Sequence, residues 1–189
     1  GSVMREVIVY VDYENLRHSP FYAFGYEPRD LNPLRLGELL VSRRNEPSKL
    51  AQVRIYRGRP SFDHERDRAE RQIAWENRVR SDSRCELITR PLHYTSNRRN
   101  RPGREKGIDV SLAIDFTLHT IRTPNLAAIL VTRDADLLPA LEAFQELRSD
   151  ETPFELASCD GLNRLQLGAK DWPWCHFLTQ ADFELIRED

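Results

Sequence analysis

Four aspartates stand at positions where the sequence could carry out metal chemistry. Asp12 comes directly after the apolar run EVIVYV, and Asp134 and Asp136 come directly after the run NLAAILVT. Short apolar runs of this kind are typical of buried parallel strands. Asp109 stands in the first turn of an amphipathic segment that follows a basic stretch. Because ligands of an open parallel sheet bind outside the carboxyl ends of its strands, we expect these acids to converge if the two strands are neighbours.

Carboxylates that converge in this way need a cation. Each pair within about 5 Å repels by roughly 1 to 4 kcal/mol, depending on the local dielectric. Oxygen ligands without a histidine or cysteine partner favour Mg²⁺ or Mn²⁺ over zinc. Such ions activate water and hold phosphoryl oxygens, so metal-assisted phosphodiester hydrolysis is the reaction that suits this set best.

Each acid also has a structural interpretation. Asp12 could form an Asx turn, Asp134 could cap the helix that follows it, and Asp109 could interact with a helix dipole. For any one of them alone, the structural role is the better interpretation. For the set it is not, because capping does not require all of the acids to lie at one edge of a sheet.

The sequence pattern alternates between strands and helices. The predicted strands are 6–11, 50–56, 85–89, 125–132, 154–158 and 175–178, the predicted helices are 34–41, 61–80, 107–121, 137–147 and 162–167, and residues 19–33 are expected to be irregular. This alternation implies an α/β fold with parallel pairing and right-handed crossovers. We expect a single domain over residues 3–189, since no linker or repeat interrupts it, and Gly1 and Ser2 are typical of a cloning scar.

The composition is compatible with nucleic-acid binding without requiring it. The net charge is −2, but only three of the 28 basic residues are lysines. Arginine binds phosphate with a planar fork and stacks on bases, whereas a GC-rich genome explains the same bias equally well. The three cysteines lack CxxC spacing and fit a reducing compartment. No apolar run approaches the ~20 residues of a membrane span, so we expect a cytoplasmic protein without a membrane partner.

Three segments resemble motifs of the NYN domain, a branch of the PIN-like nuclease superfamily. VYVDYENL (9–16) resembles the family's first strand, KGIDVSLAIDF (106–116) its most specific helix, and VTRDADLLPAL (131–141) its segment with two aspartates. The segments occur in the family's order, and the resemblance spans roughly residues 5–160. It implies a three-layer α/β/α PIN-like domain with a central parallel sheet of four or five strands. It also implies a metal-dependent endoribonuclease.

The resemblance assigns roles to individual acids. It makes Asp12, Asp109 and Asp134 the catalytic, metal-binding acids, with Mg²⁺ or Mn²⁺ as cofactor. Asp136 is the expected fourth acid, bound directly or through water. Asn15 matches the family's asparagine, which orients the first loop or contacts a phosphate of the substrate.

Three further positions of these motifs carry expectations. Asp115 matches the helix pattern, but it lies six residues from Asp109, more than one and a half helical turns away, so we expect a structural role. Arg133 stands where the family has a small or polar residue, and we interpret it as a contact to the substrate phosphate. Leu137 replaces the family's aromatic residue and keeps its packing role.

A nuclease with an acidic site needs basic residues beside it, because carboxylates repel a phosphate backbone. The polar stretch 93–106 supplies the expected RNA contacts, which are Arg98, Arg99, Arg101, Arg104 and Lys106. His93 and Tyr94 could stack on a base of single-stranded RNA. The alternative is a solvated loop without a role. Arg54, Arg57 and Arg59 could extend the basic surface, and the charged helix 61–80 is interpreted as solvent-facing and ion-paired.

Two other functions compete with the ribonuclease interpretation. One is a non-catalytic RNA-binding or adaptor module, although such a module would be expected to lose at least one of the acids. The other is a phosphohydrolase or glycosyltransferase that uses Asp134 and Asp136 to bind a metal–phosphate group. A phosphatase of the aspartyl-phosphate type would need D-x-D after the first strand, where this chain has Asp12-Tyr13-Glu14. The sequence leaves open the RNA preference and whether the protein forms a homodimer.

Overall fold

The computed structural model describes residues 3–95, 101–168 and 173–188. The strands are β1 (Arg5–Asp12), β2 (Asp30–Leu31), β3 (Ser48–Arg59), β4 (Cys85–Pro91), β5 (Ala127–Val131), β6 (Phe154–Cys159), β7 (Cys175–Leu178) and β8 (Arg187–Glu188). The helices are α1 (Tyr13–Phe24), α2 (Pro33–Ser42), α3 (Arg66–Val79), α4 (Ile108–Arg122), α5 (Leu138–Leu147) and α6 (Gln180–Ile186). Strands and helices alternate along most of the chain, which confirms the predicted α/β class.

Six strands form one parallel sheet in the order β4-β3-β1-β5-β6-β7, rather than the four or five strands that the resemblance implied. β1 lies inside the sheet and pairs in parallel with β3 on one side and with β5 on the other. The chain moves outward from β1 to β3 and β4, and then returns to place β5 on the opposite side of β1. The strand order therefore reverses between β1 and β5, the position at which open α/β sheets bind ligands.

Helices cover both faces of the sheet. The alternation of side chains along β1 places Val7, Val9 and Val11 on one face and Ile8 and Tyr10 on the other. The first face packs against α1, α2, α3 and α6, and the second face packs against α4 and α5. The arrangement has the three α/β/α layers that the resemblance implied. In the described part of the chain, no helix has the length and apolar character needed to cross a membrane.

The first difference from the sequence expectation lies directly after β1. Residues 19–33 are expected to be irregular, but α1 runs through Pro20 and ends before Gly25, whose φ is 81°. Proline weakens a helix interior, yet Tyr13 and Leu16 of the same helix are fully buried against the sheet. Packing of this apolar side therefore outweighs the local effect of the proline.

The C-terminal part of the chain differs from the expectation at two places. Residues 162–167 are predicted to form a helix, but 163–167 have no regular secondary structure. This segment lies between Gly161 and Gly168, both with positive φ, and a left-handed residue is incompatible with a continuing helix. Conversely, α6 was not predicted, although the Thr179 and Asp182 side chains form a capping box at its start.

The packing of α4 on the sheet depends on Phe116. Its ring is fully buried and stacks on Phe144 of α5, with the ring centroids 4.4 Å apart. We expect Phe116→Ala to lower the free energy of unfolding by about 3 to 5 kcal/mol, because it leaves a cavity in the core. The matched change Ile121→Ala, on the same helix at a side chain that is 68% exposed, should cost less than about 0.5 kcal/mol. Urea denaturation measures both values, and equal stabilities of the two variants would contradict this account.

Candidate active site

Three of the four expected acids come together at the edge where the strand order reverses. Asp12 ends β1, Asp134 follows β5, and Asp109 lies in the first turn of α4. One carboxylate oxygen from each lies within 4.8 Å of the other two. Gly107, with a φ of 82°, turns the chain into α4 and allows that first turn to reach the sheet edge. The predicted convergence of these three side chains is therefore present.

Asp12 is the most buried of the three, with 3% of its surface exposed. The Thr132 hydroxyl donates a 2.8 Å hydrogen bond to Asp12 Oδ2. Burial and, to a smaller extent, the charges of Asp109, Glu105 and Asp134 nevertheless raise the pKa of Asp12 to about 8, although the hydrogen bond from Thr132 lowers it. Without a cation, Asp12 is therefore largely protonated at neutral pH.

Burial and neighbouring negative charges also affect the second acid, Asp109. Burial raises the pKa of Asp109, and the nearby charges of Asp134 and Asp136 add to that rise. Neighbouring like charges disfavour ionisation in this way when nothing of opposite sign lies between them. The arrangement thus holds negative charge that a divalent ion would offset.

Asp134 combines a structural role with its place in this cluster. Its backbone N–H donates to Thr132 Oγ1 at 3.1 Å, and its own Oδ1 accepts the Asp136 N–H at 2.9 Å. The second bond caps the short 3₁₀ turn Ala135–Leu137 that leads into α5. The capping interpretation is therefore right for Asp134. The Asx turn considered for Asp12 has no support, since the Asp12 side chain makes no hydrogen bond to the backbone at the start of α1.

Asn15 and Arg133 are joined to each other. Asn15 Oδ1 accepts a 2.9 Å hydrogen bond from the Arg133 backbone N–H, which ties the start of α1 to the end of β5. The expected roles of Asn15, orientation of the first loop or contact with a substrate phosphate, stay predictions. Arg133 Nε is buried without a hydrogen-bond partner in the described part of the chain. The charge of Arg133 lowers the pKa of Cys159, which burial raises to about 11.

Asp136 and Glu105 lie near the three acids in different ways. Asp136 is exposed and does not belong to the group of oxygens within 4.8 Å, although its charge raises the pKa of Asp109. Glu105 was not predicted as a site residue, but it lines the cleft and accepts a short hydrogen bond from Gly58 N. Burial raises the pKa of Glu105, as do the charges of Glu14 and Asp109. In the sequence, only its position directly before the motif KGIDVSLAIDF (106–116) could have indicated Glu105 as a site residue.

Glu14 and Asp115 are both held by arginines. Glu14 accepts from Arg57 at 2.8 Å and from Arg17 at 2.7 Å. Burial would raise the pKa of Glu14, but the hydrogen bond from His18 and the two arginine charges hold it well below the usual range. Asp115 accepts from Arg54 and from the Tyr56 hydroxyl, which agrees with the structural role expected for it.

The acids open into a cleft of about 320 Å³. It is lined by Asp12, Glu14, Asn15, His18, Arg68, Leu92, Gly103, Glu105, Asp109 and Asp134. Five of these lining residues are acids, and Arg68 is the one arginine among them. Most of the positive charge needed to hold a phosphate backbone must therefore come from residues around the cleft.

The expected basic residues are only partly within the described chain. Arg101, Arg104 and Lys106 are exposed, and mutual backbone hydrogen bonds between His93 and Arg104, at 2.8 and 2.9 Å, close the base of this loop. Arg98 and Arg99 lie outside the described residues. The loop therefore presents at least three basic side chains just before Asp109.

Two hypotheses about neighbouring side chains need correction. Tyr94 was expected to be available for base stacking, but its ring stacks on His64 with the centroids 4.1 Å apart, and its hydroxyl donates to Glu65. One face of the tyrosine is thus already covered. The three arginines at the end of β3 do not form a free basic surface, because each is ion-paired with an acid; the pairs are Arg54–Asp115, Arg57–Glu14 and Arg59–Glu76.

Comparison with known proteins agrees with this arrangement. The family model of the NYN domain matches residues 6–150, a range that contains the three acids, all but the first residue of β1, and strands β2 to β5. No match was found among curated proteins or among solved structures. The family match covers more than half of the chain and includes every segment on which the sequence resemblance depends, and the chain belongs to the NYN domain family.

Proposed function

We propose that this protein is a metal-dependent endoribonuclease that hydrolyses RNA phosphodiester bonds. The observation that carries the proposal is the cluster of Asp12, Asp109 and Asp134 at the strand-order reversal, with oxygens within 4.8 Å of one another. The NYN family match supports a nuclease-like, RNA-related function for a site of this kind. The retained acids and their cleft favour catalysis over a non-catalytic RNA-binding module.

The donor set fits Mg²⁺ or Mn²⁺. Among the described residues, the cluster consists of carboxylates alone, and hard oxygen ligands favour these ions over zinc. The raised pKa values of Asp12 and Asp109 indicate that the negative charge at this site lacks a compensating partner. Glu14 supplies the contrast, since two arginines neutralise it within the protein.

The chain's own residues would position both the ion and the substrate. When bound, a divalent ion lowers the pKa of a water molecule and stabilises the charge that develops on the phosphoryl oxygens. Thr132 holds Asp12 through its hydroxyl and Asp134 through the backbone, so it fixes the separation of these two ligands. Asp136 is the proposed fourth acid, acting through water, and Glu105 is a second candidate for that place.

We further propose that the rim of the cleft binds the RNA backbone. Arg101, Arg104 and Lys106 directly precede Asp109 in the chain and are exposed. Arg98 and Arg99 belong to the same stretch of sequence, and Asn15 and Arg133 adjoin the cleft through their shared hydrogen bond. Positive groups in these places would hold the phosphates against the repulsion of the acids.

The first prediction for the site concerns the rate of RNA cleavage. Asp109→Asn and Asp134→Asn should each lower the rate of RNA cleavage in Mn²⁺ or Mg²⁺ by more than about 100-fold, since even groups behind a metal ligand typically contribute 10 to 100-fold. Incubation of labelled single-stranded and structured RNAs with each metal, and with EDTA, measures the rates. Asp67→Asn, the same charge change at an exposed position of α3, is the matched control.

The same assay separates the two candidates for the fourth acid. A larger loss with Asp136→Asn than with Glu105→Gln would support Asp136, and the reverse order would support Glu105. Tight RNA binding by the wild-type chain without cleavage in any metal would contradict the nuclease proposal and favour the adaptor.

The second prediction concerns stability. In the absence of metal, Asp109→Asn should leave the melting temperature unchanged or raise it, because it removes one of the charges that repel each other. Asp134→Asn should behave similarly, since asparagine can still accept the capping hydrogen bond. Mn²⁺ should raise the melting temperature of the wild-type chain and not of these variants. A large fall in melting temperature for both variants would mean that the acids are structural.

The third prediction concerns pH. The pKa of folded Asp12, about 8, lies above the ordinary value of an unfolded aspartate, about 3.9. The folded chain therefore holds a proton that the unfolded chain has released, and metal-free stability should fall as the pH rises from about 4 to about 8. Asp12→Asn should reduce this slope.

The affinity for metal should rise with pH over the same range, because the ion must displace the proton on Asp12. The Mg²⁺-induced increase in melting temperature should be larger at pH 8 than at pH 6. Thermal melts in matched buffers measure both trends, and an increase that does not depend on pH would argue against Asp12 as a metal ligand.

A further inference from the structure

A second cavity, of about 270 Å³, lies beside the acidic cleft. Its lining contains five arginines, which are Arg17, Arg29, Arg57, Arg68 and Arg71. We refer to this cavity as the arginine pocket. It is lined by residues from α1, the turn before β2, β2, β3 and α3, so residues far apart in sequence contribute to it. The lining also contains the acids Glu27 and Asp30, so that arginines outnumber acids by five to two.

The arginine pocket and the acidic cleft share a wall. Arg68 lines both cavities. Glu14 lines the cleft, and it is bonded to Arg17 and Arg57, which line the arginine pocket. A strand of nucleic acid in the cleft would therefore pass close to the arginine pocket.

Arg57 is a rigid cation in this wall. Only 6% of it is exposed, and its guanidinium lies 4.3 Å from the centre of the Tyr13 ring and 4.5 Å from that of Trp75. Its Nε donates to Glu14, while its buried Nη1 lies 3.2 Å from Asp30 Oδ1 without forming a hydrogen bond. Two aromatic rings and two acids thus fix the guanidinium in place before any ligand arrives.

Arg29 and Arg71 are the two arginines of the pocket that no acid of the described residues binds. Both are exposed, and neither has an ion pair or a side-chain hydrogen bond within residues 3–95, 101–168 and 173–188. The other arginines of the pocket differ, because Arg17 pairs with Glu14 and Arg68 pairs with Glu65. An anion in the pocket would therefore meet two free guanidinium groups.

We infer that the arginine pocket binds a phosphate group of the RNA strand whose scissile phosphodiester occupies the acidic cleft. This inference rests on the proposed ribonuclease function. Guanidinium groups match the geometry of phosphate oxygens through paired hydrogen bonds, and preorganised positive groups remote from the reacting bond improve the positioning of a substrate. The phosphate is either a terminal monoester or an internal diester, since both present the same oxygens.

RNA binding by a chain that does not cleave tests the pocket directly. In an Asp109→Asn background, Arg29→Gln with Arg71→Gln should weaken binding of a labelled single-stranded RNA by about tenfold, the effect of losing a charge-assisted hydrogen bond. The slope of log K against log salt should fall by about 0.7 for each phosphate contact that is lost. Arg35→Gln with Arg66→Gln removes the same charge from exposed positions that line neither cavity, and it should have much less effect.

The choice of RNA distinguishes the two sources of the phosphate. If the pocket holds a terminal group, RNA with a 5′-phosphate should bind the Asp109→Asn parent more tightly than RNA with a 5′-hydroxyl, and the Arg29/Arg71 variant should lose this difference. If it holds an internal diester, the variant should weaken both RNAs equally. Either result supports the pocket, whereas an equal effect of the Arg29/Arg71 variant and the control pair would overturn it.

The two proposals can fail separately. Metal-dependent cleavage by the wild-type chain, together with unchanged RNA affinity in the Arg29/Arg71 variant, would retain the nuclease and reject the pocket. Absence of cleavage in every metal, with RNA binding that still depends on Arg29 and Arg71, would reject the nuclease and retain a phosphate-binding pocket. Melting temperatures of both arginine variants close to that of their parent would exclude loss of folding as the cause.

Discussion

The parallel pairing of β1 with β5 is the constraint on which the site depends. Val11 is paired with Val131 at the end of this ladder, so the residues that follow them, Asp12 and Thr132, lie side by side at the edge of the sheet. Thr132 then links them, since its hydroxyl bonds to Asp12 and accepts the Asp134 N–H. A slip of one residue in this register would turn Asp12 toward the opposite face of the sheet. The position of α4 matters only after this pairing has been made, because α4 adds the third carboxylate to two that are already adjacent.

The site also contains two buried carboxylates whose electrostatic environments differ. Glu14 is ionised because Arg17, Arg57 and His18 surround it, and its pKa is held low. Asp12 has a single neutral donor, and burial together with neighbouring acids raises its pKa to about 8. Two acids only two residues apart therefore have opposite electrostatic environments. The environment of Glu14 is suited to a permanent structural role between the two cavities. That of Asp12 is suited to a metal ligand that is charged only when a cation is present.

The wall formed by Glu14 connects the acidic cleft with the arginine pocket. Negative charge collects on one side, where a metal ion would lie, and positive charge collects on the other, where a phosphate would lie. A protein with a net charge of only −2 can thus present both signs within one binding surface. This separation explains how an almost neutral NYN domain could bind a polyanion without a globally basic surface.

The six strands of the main sheet, helices α2 to α5, the three acids and the family could be predicted from the sequence, because hydrophobic periodicity and short motifs depend on local residues. Other features required the folded chain. The helix α1 persists through Pro20 because its buried side packs against the sheet, and Tyr94 is covered by His64, thirty residues earlier in the chain. Glu105 joins the cleft through a hydrogen bond to Gly58. Arg57 of β3 and Arg71 of α3 line the same pocket. Each of these depends on contacts between residues distant in sequence, and local propensity carries no information about such contacts.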